Sequence, residues 1–168
     1  MNFSRSLKLA AAGLAFASLP SCVKYHNLPE GYSGPVATIR GTAAQGNVFK
    51  GQSFRVTKVD GLEIAGRGAV ATPTGGGPVL AVREPQVQVL PKPVTLTLTG
   101  STIYAADGPA LVDSMIGGAR HVSGDLSFTP KAGGEYRVKG ILEKGSESVW
   151  LEEEKSGKLV GNKITKAR

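Results

Sequence analysis

Val94-Thr95-Leu96-Thr97-Leu98-Thr99 alternates apolar and polar residues without a break between Pro93 and Gly100. Successive side chains of a strand point to opposite faces, so Val94, Leu96 and Leu98 share one face and the three threonines the other. Branched and aliphatic residues bounded by Pro and Gly predict a half-buried strand. The same period recurs along the chain. Phe54-Arg55-Val56-Thr57-Lys58-Val59 is a second strand, closed by the Asp60-Gly61 turn signal. Leu126-Ser127-Phe128 and Tyr136-Arg137-Val138-Lys139 are two more, parted by Pro130 and Gly133-Gly134. Ser148-Val149-Trp150-Leu151 follows Lys144-Gly145, and residues 158–164 form a last strand after Ser156-Gly157. Residues 36–40 begin the series, and residues 79–82 with 87–90 add a hairpin. The alternation directs Val94, Leu96, Leu98, Phe128, Tyr136 and Val138 to the core.

Helical signals are thin. Residues 110–116 hold one or two turns, started near Asp107 or Pro109 and ended by Gly117-Gly118. Elsewhere 23 Gly and 10 Pro interrupt the chain too often for long helices. Many short strands without alternating helices predict an all-β fold, an antiparallel β-sandwich, over residues 36–168. The spacing of strands is too uneven for a regular barrel. Alternating runs of about ten residues, which a transmembrane barrel needs, are mostly missing.

The N-terminus has a different pattern. Arg5 and Lys8 precede a nearly unbroken apolar run from Leu9 to Leu19, about half the ~20 residues a membrane-spanning helix needs. The run has no polar face to show to water, so a buried amphipathic helix fits it poorly. A basic start, a short apolar centre and a small-residue end describe a secretory signal. This divides the chain into a signal peptide at residues 1–21, a tether or N-terminal arm at 22–35 with two Pro and two Gly, and the β-sandwich at 36–168.

The run ends in Leu19-Pro20-Ser21-Cys22. That tetrapeptide resembles the bacterial lipobox, with an aliphatic residue three places before Cys and a small residue directly before it. Pro20 departs from the Ala, Ser or Thr usual at its position. The resemblance implies cleavage between Ser21 and Cys22, a diacylglycerol on the Cys22 sulfur, and an acylated (palmitate-type) amino terminus. It also implies outer-membrane delivery facing the periplasm, because Val23 stands where an inner-membrane lipoprotein tends to carry Asp. The rival reading is cleavage after Ala17, where Ala15-Phe16-Ala17 fits an ordinary secretory site and leaves a free thiol. Cys22 is the sole Cys, so no disulfide forms within one chain.

Loss of Arg5 and Lys8 with the leader takes the formal charge from +7 to +5. That is mildly basic and suits an anionic membrane surface. Lys and Arg are scattered, with no basic helix or aromatic-basic cluster, which argues against nucleic acid as a partner.

Catalytic chemistry finds little support. Of the two His, His26 falls in the tether and His121 precedes a strand without a G-x-S-x-G elbow. One Cys and two distant His supply no metal-ligand spacing, and Asp107 with Asp113 is not an EF-hand loop. Thr74-Gly75-Gly76-Gly77-Pro78 lacks the Gly-Lys-Ser/Thr end of a phosphate loop and reads as a turn. Glu152-Glu153-Glu154 reads as a solvated strand end rather than a cation site. Tyr104, Tyr136 and Trp150 would line a groove or, more ordinarily, a core. No cofactor is expected.

A second resemblance rests on Val59-Asp60-Gly61 ending a strand, on Pro93-Val94-Thr95-Leu96-Thr97-Leu98, and on Phe128 followed by Ala132-Gly133-Gly134-Glu135-Tyr136-Arg137-Val138. This order is similar to small periplasmic lipoproteins of the PEGA-like type. Pro93-Val94 lacks their Gly and His, and residues 66–92 would be an insertion. The resemblance implies a β-sandwich with an envelope-associated, non-catalytic role. Two functions follow as expectations. One is a membrane-anchored binding or structural module contacting an envelope protein or glycan. The other is a glycan-acting enzyme using paired carboxylates from Asp107, Asp113 and Asp125.

Overall fold

The computed structural model describes residues 24–45, 50–65, 69–74, 77–82, 84–105, 110–112, 115 and 117–166. Their strands in chain order are β1 (Ala37–Arg40), β2 (Thr42–Gln45), β3 (Lys50–Val59), β4 (Leu62–Glu63), β5 (Ala69–Thr74), β6 (Gly77–Val82), β7 (Gln86–Val89), β8 (Val94–Tyr104), β9 (His121–Phe128), β10 (Glu135–Ile141), β11 (Ser148–Glu153) and β12 (Leu159–Thr165). The first sheet has the order β12-β11-β10-β1-β7, and the second β2-β3-β8-β9 with β4 on β3. β5 and β6 form a separate hairpin. The two large sheets pack as an all-β sandwich.

Alternation decides what lies between the sheets. Leu96 and Leu98 are fully buried, as are Ile39, Val138, Val149 and Leu151 from the other sheet. Removing such a side chain from water stabilises the fold by about 1.5–3 kcal/mol. Val94 and Tyr136 join them, and Phe128 packs partly buried against the same cluster. All six residues expected to face the core therefore do so. Phe54 is the wedge between the sheets. Its ring lies so close to Gly100 on its own sheet and Gly140 on the facing one that a Cβ there would approach it to 2.9 and 2.3 Å.

The sheets are joined at one corner by a strand that changes partners. β1 pairs with β7 and β10, whereas β2 pairs with β3, and Gly41 between them turns the chain from one sheet to the other. Its N–H donates to the Pro85 carbonyl at 2.7 Å, and a Cβ at Gly41 would lie 2.8 Å from the Phe54 carbonyl oxygen. Only glycine fits that approach without displacement. The Thr42 hydroxyl ties the corner by donating to the Val138 carbonyl at 2.6 Å.

Two particulars differ from the sequence pattern. The pairing is not wholly antiparallel, because β1 runs parallel to β10 with Thr38 opposite Glu135. Parallel neighbours need a long crossover, and more than half of the chain separates these two strands. The expected hairpin of residues 79–82 with 87–90 does not form. β6 pairs with β5, while the Pro85–Gly41 hydrogen bond draws β7 onto β1. The chain from Lys24 onward lies along the domain as an N-terminal arm. Tyr25 bridges Glu63, His26 N donates to the Glu63 carbonyl at 2.7 Å, and Glu63 N donates to the Lys24 carbonyl at 3.1 Å. Residues 110–112 are helical, as the pattern suggested.

Candidate functional site

The outer face of the second sheet carries the threonines that alternate with the core leucines. Each meets a polar side chain on β9: Thr95 and Ser127 hydroxyls at 2.9 Å, Thr99 and Ser123 hydroxyls at 2.9 Å, and Thr97 donating to the Asp125 carboxylate at 2.7 Å. Cross-strand pairs of this kind hold the register of β8 against β9. Asp125 is therefore a hydrogen-bond acceptor in a ladder. Asp107 and Asp113, the other carboxylates considered for glycan chemistry, lie outside the described residues. His121 is exposed at the start of β9 opposite Ser101. His26 lies toward the other end of the domain, its Nε2 2.9 Å from the Gln88 carbonyl oxygen.

The outer face of the first sheet is a network of ion pairs. Arg40 and Arg137 both donate to Glu154 at 2.5 Å, Arg137 reaches Glu84 at 3.2 Å, and Arg40 reaches Glu135 at 3.4 Å. The Arg137 hydrogen bond, joined by that of Arg40, holds the Glu154 carboxyl below its usual range against the desolvation that opposes it. Glu152 is lowered first by the Trp150 indole N–H at 2.7 Å and then by Lys139. Lys131 and Ser156 lower Glu153. The acidic run 152–154 thus has its charges committed within the chain. At the end of the domain, Glu147 is held down chiefly by a backbone N–H and also by Arg120 at 3.2 Å.

The three aromatic residues do not share a groove. Tyr136 is in the core, its ring edge-on to Phe128 at 5.2 Å and its hydroxyl accepting the Lys131 N–H at 2.9 Å. Trp150 is on the opposite face of the same sheet, between the core residues Val149 and Leu151, and is capped by the Lys163 ammonium 4.1 Å from its ring centre. Tyr104 belongs to the other sheet, with the Lys50 ammonium 6.0 Å from its ring centre.

Cys22 and Ser21, the residues expected to carry the lipid and the cleavage, lie outside the described residues, as do Gly75 and Gly76. Among the described residues no group of three His, Cys, Asp or Glu side chains could hold a metal ion. None of their helices is long and apolar enough to cross a membrane.

Two of the concavities formed by the described residues lie beside β3. One, of about 190 Å³, lies under the N-terminal segment, where Leu28 and Pro29 cover Val59, Leu62, Val89 and Leu90. The other, of about 340 Å³, opens between β3, the end of β4 and the start of β7, with Arg55, Thr57, Glu63 and Gln86 as polar groups on its wall. Sequence patterning missed this second site because Arg55 is simply one polar position of an alternating strand. Only the three-dimensional pairing shows that it differs from Arg40, Arg120 and Arg137, each of which holds a glutamate. No family model, curated protein or solved structure matches the chain.

Proposed function

We propose that this protein is an envelope lipoprotein, anchored through a diacylglycerol on Cys22, whose β-sandwich is a non-catalytic binding or structural module. The outer membrane, with the domain facing the periplasm, is the favoured location by the lipobox resemblance and Val23. The PEGA-like resemblance points to the same class of role.

The observation that carries this reading is the course of the N-terminal segment. Backbone hydrogen bonds fix Lys24 and His26 to Glu63, at the Val59 end of β3. Two residues reach at most about 7 Å, so a lipid on Cys22 would hold this end of the domain against the bilayer. Lys24 and Lys92 are exposed there and would face anionic headgroups. The opposite end, about 30 Å away along the ten residues of β3, carries exposed Leu111, Val112 and Met115, which would then point away from the membrane. The internal commitments of Asp125, Glu152, Glu153 and Glu154 also favour a module over a carboxylate enzyme.

Membrane fractionation tests the proposal. Two or more acyl chains hold a protein stably, whereas a charge of +5 gives only salt-sensitive attraction. The protein should stay with membranes through a 1 M salt wash (a screening length of about 3 Å) and enter the detergent phase. Cys22→Ser should accumulate as precursor or appear as a soluble product. Release of the unaltered protein by salt alone would refute the anchor.

A further inference from the structure

We propose that the cavity between β2 and β4 is a binding site for a ligand with a free carboxylate on a small apolar body, anchored by the Arg55 guanidinium. The inference rests on the binding-module reading of the domain and is independent of the lipid anchor.

The cavity exists because two short strands share one edge of β3. β2 pairs with residues 51–54 and β4 with residues 58–59, and Thr57 is an extra residue at the register shift between Val56 and Lys58. The edge between them is spanned only in part, by Ile64 N donating to the Thr57 carbonyl at 3.0 Å. The remaining space is about 340 Å³, at the small end of the range for ligand pockets.

Its chemistry is specific. Ile64, Ala65 and Pro85 give apolar wall, while Arg55 and Gln86 give polar groups. Arg40, Arg120 and Arg137 each hold a glutamate within 3.2 Å. Arg55 is half-buried and, among the described residues, has no carboxylate partner. Glu63 on the same wall is taken by Lys58 at 3.0 Å, so the guanidinium leaves the cavity with a net positive charge. The Thr57 hydroxyl is occupied by the Thr97 carbonyl and the Thr99 hydroxyl. What remains unused is one planar fork of N–H donors and one side-chain amide. A fork of that shape matches a planar carboxylate through two parallel hydrogen bonds. A phosphate would call for several converging cations, and among the described residues the wall supplies one. The apolar remainder suits methyl-sized groups, so the end of a short peptide with small side chains fits the site.

The test titrates the full chain, purified in detergent micelles, with N-acetyl-Ala-Ala and separately with its C-terminal amide. Backbone amide NMR signals of Arg55, Thr57, Ile64 and Gln86 report binding. The acid should shift them saturably, and the amide should bind weaker by on the order of tenfold or more, because the charge-assisted bonds are lost. Arg55→Gln should lose the acid preference and Arg55→Lys should keep part of it. Should Arg55→Gln fail to fold, Gln86→Glu, which sets a carboxylate beside the guanidinium, should weaken the acid likewise. Absence of saturable shifts with the acid, equal affinity for acid and amide, or undiminished acid binding in a folded Arg55→Gln protein would overturn the site. Hydrolysis of the peptide alongside acid-selective, Arg55-dependent binding would support the site while refuting the non-catalytic reading.

Discussion

Leu96 and Thr97 are chain neighbours on opposite faces of β8, and truncating each to Ala separates burial from hydrogen bonding. Leu96 is fully buried, opposite Val59 on β3 and Leu126 on β9. Leu96→Ala removes three carbons, worth about 2–3 kcal/mol in transfer alone at about 0.8 kcal/mol per methylene. The sheets cannot close over the void, because Leu98, Val138 and Leu151 are held by their own ladders. A cavity term therefore adds, for a total of about 2–5 kcal/mol. Thr97→Ala loses one hydrogen bond, donated to the exposed Asp125 at 2.7 Å, where water can replace it. That loss is under about 1 kcal/mol. Urea unfolding followed by circular dichroism gives both values, and a melting temperature should fall by about 8–20 °C for Leu96→Ala, at about 4 °C per kcal/mol. Equal losses at the two positions would refute the assignment of strand faces.

Gly140→Ala should destabilise the domain by about 1–3 kcal/mol, since its Cβ would sit 2.3 Å from the Phe54 ring and 2.5 Å from the Ser148 carbonyl oxygen. A denaturation midpoint equal to that of the unaltered protein would contradict the wedge. Glu152, Glu153 and Glu154 all have folded-state pKa values below the ordinary 4.5, so they contribute stability above that pH and lose it as pH falls through their depressed values. Melting temperatures should therefore drop below about pH 4.5, and more shallowly in Glu154→Gln, and parallel curves would count against the network. Lys163→Met should leave the fold intact but alter Trp150 fluorescence, because the ammonium lies over that ring. An unchanged spectrum would mean the contact is not kept in solution.

The strands that were legible in the sequence are those with one face in the core and one in water. Val94 to Thr99 is the clearest, because each leucine is fully buried and each threonine meets a hydroxyl or carboxylate. Pairing was not legible. Nothing local distinguishes Gly41 from an ordinary turn glycine, yet it is where the chain changes sheets, and the Pro85 carbonyl that fixes it is distant in sequence. For the same reason no local signal shows that β7 pairs with β1 rather than with β6. Trp150 is buried, as its flanking residues Val149 and Leu151 suggest, but it lies under Lys163 outside the main core cluster, which one-dimensional spacing does not show. The Arg55 cavity depends on where β2 begins and β4 ends along one edge, which no one-dimensional spacing encodes.

The most direct test of the lipoprotein account is the intact mass of the mature protein isolated from its native membrane. A chain beginning at Cys22 and carrying the mass of a diacylglycerol and an amino-terminal acyl group is the predicted result. A chain beginning at Ser18 with an unmodified Cys22 thiol would contradict it and identify the protein as an ordinary secreted one.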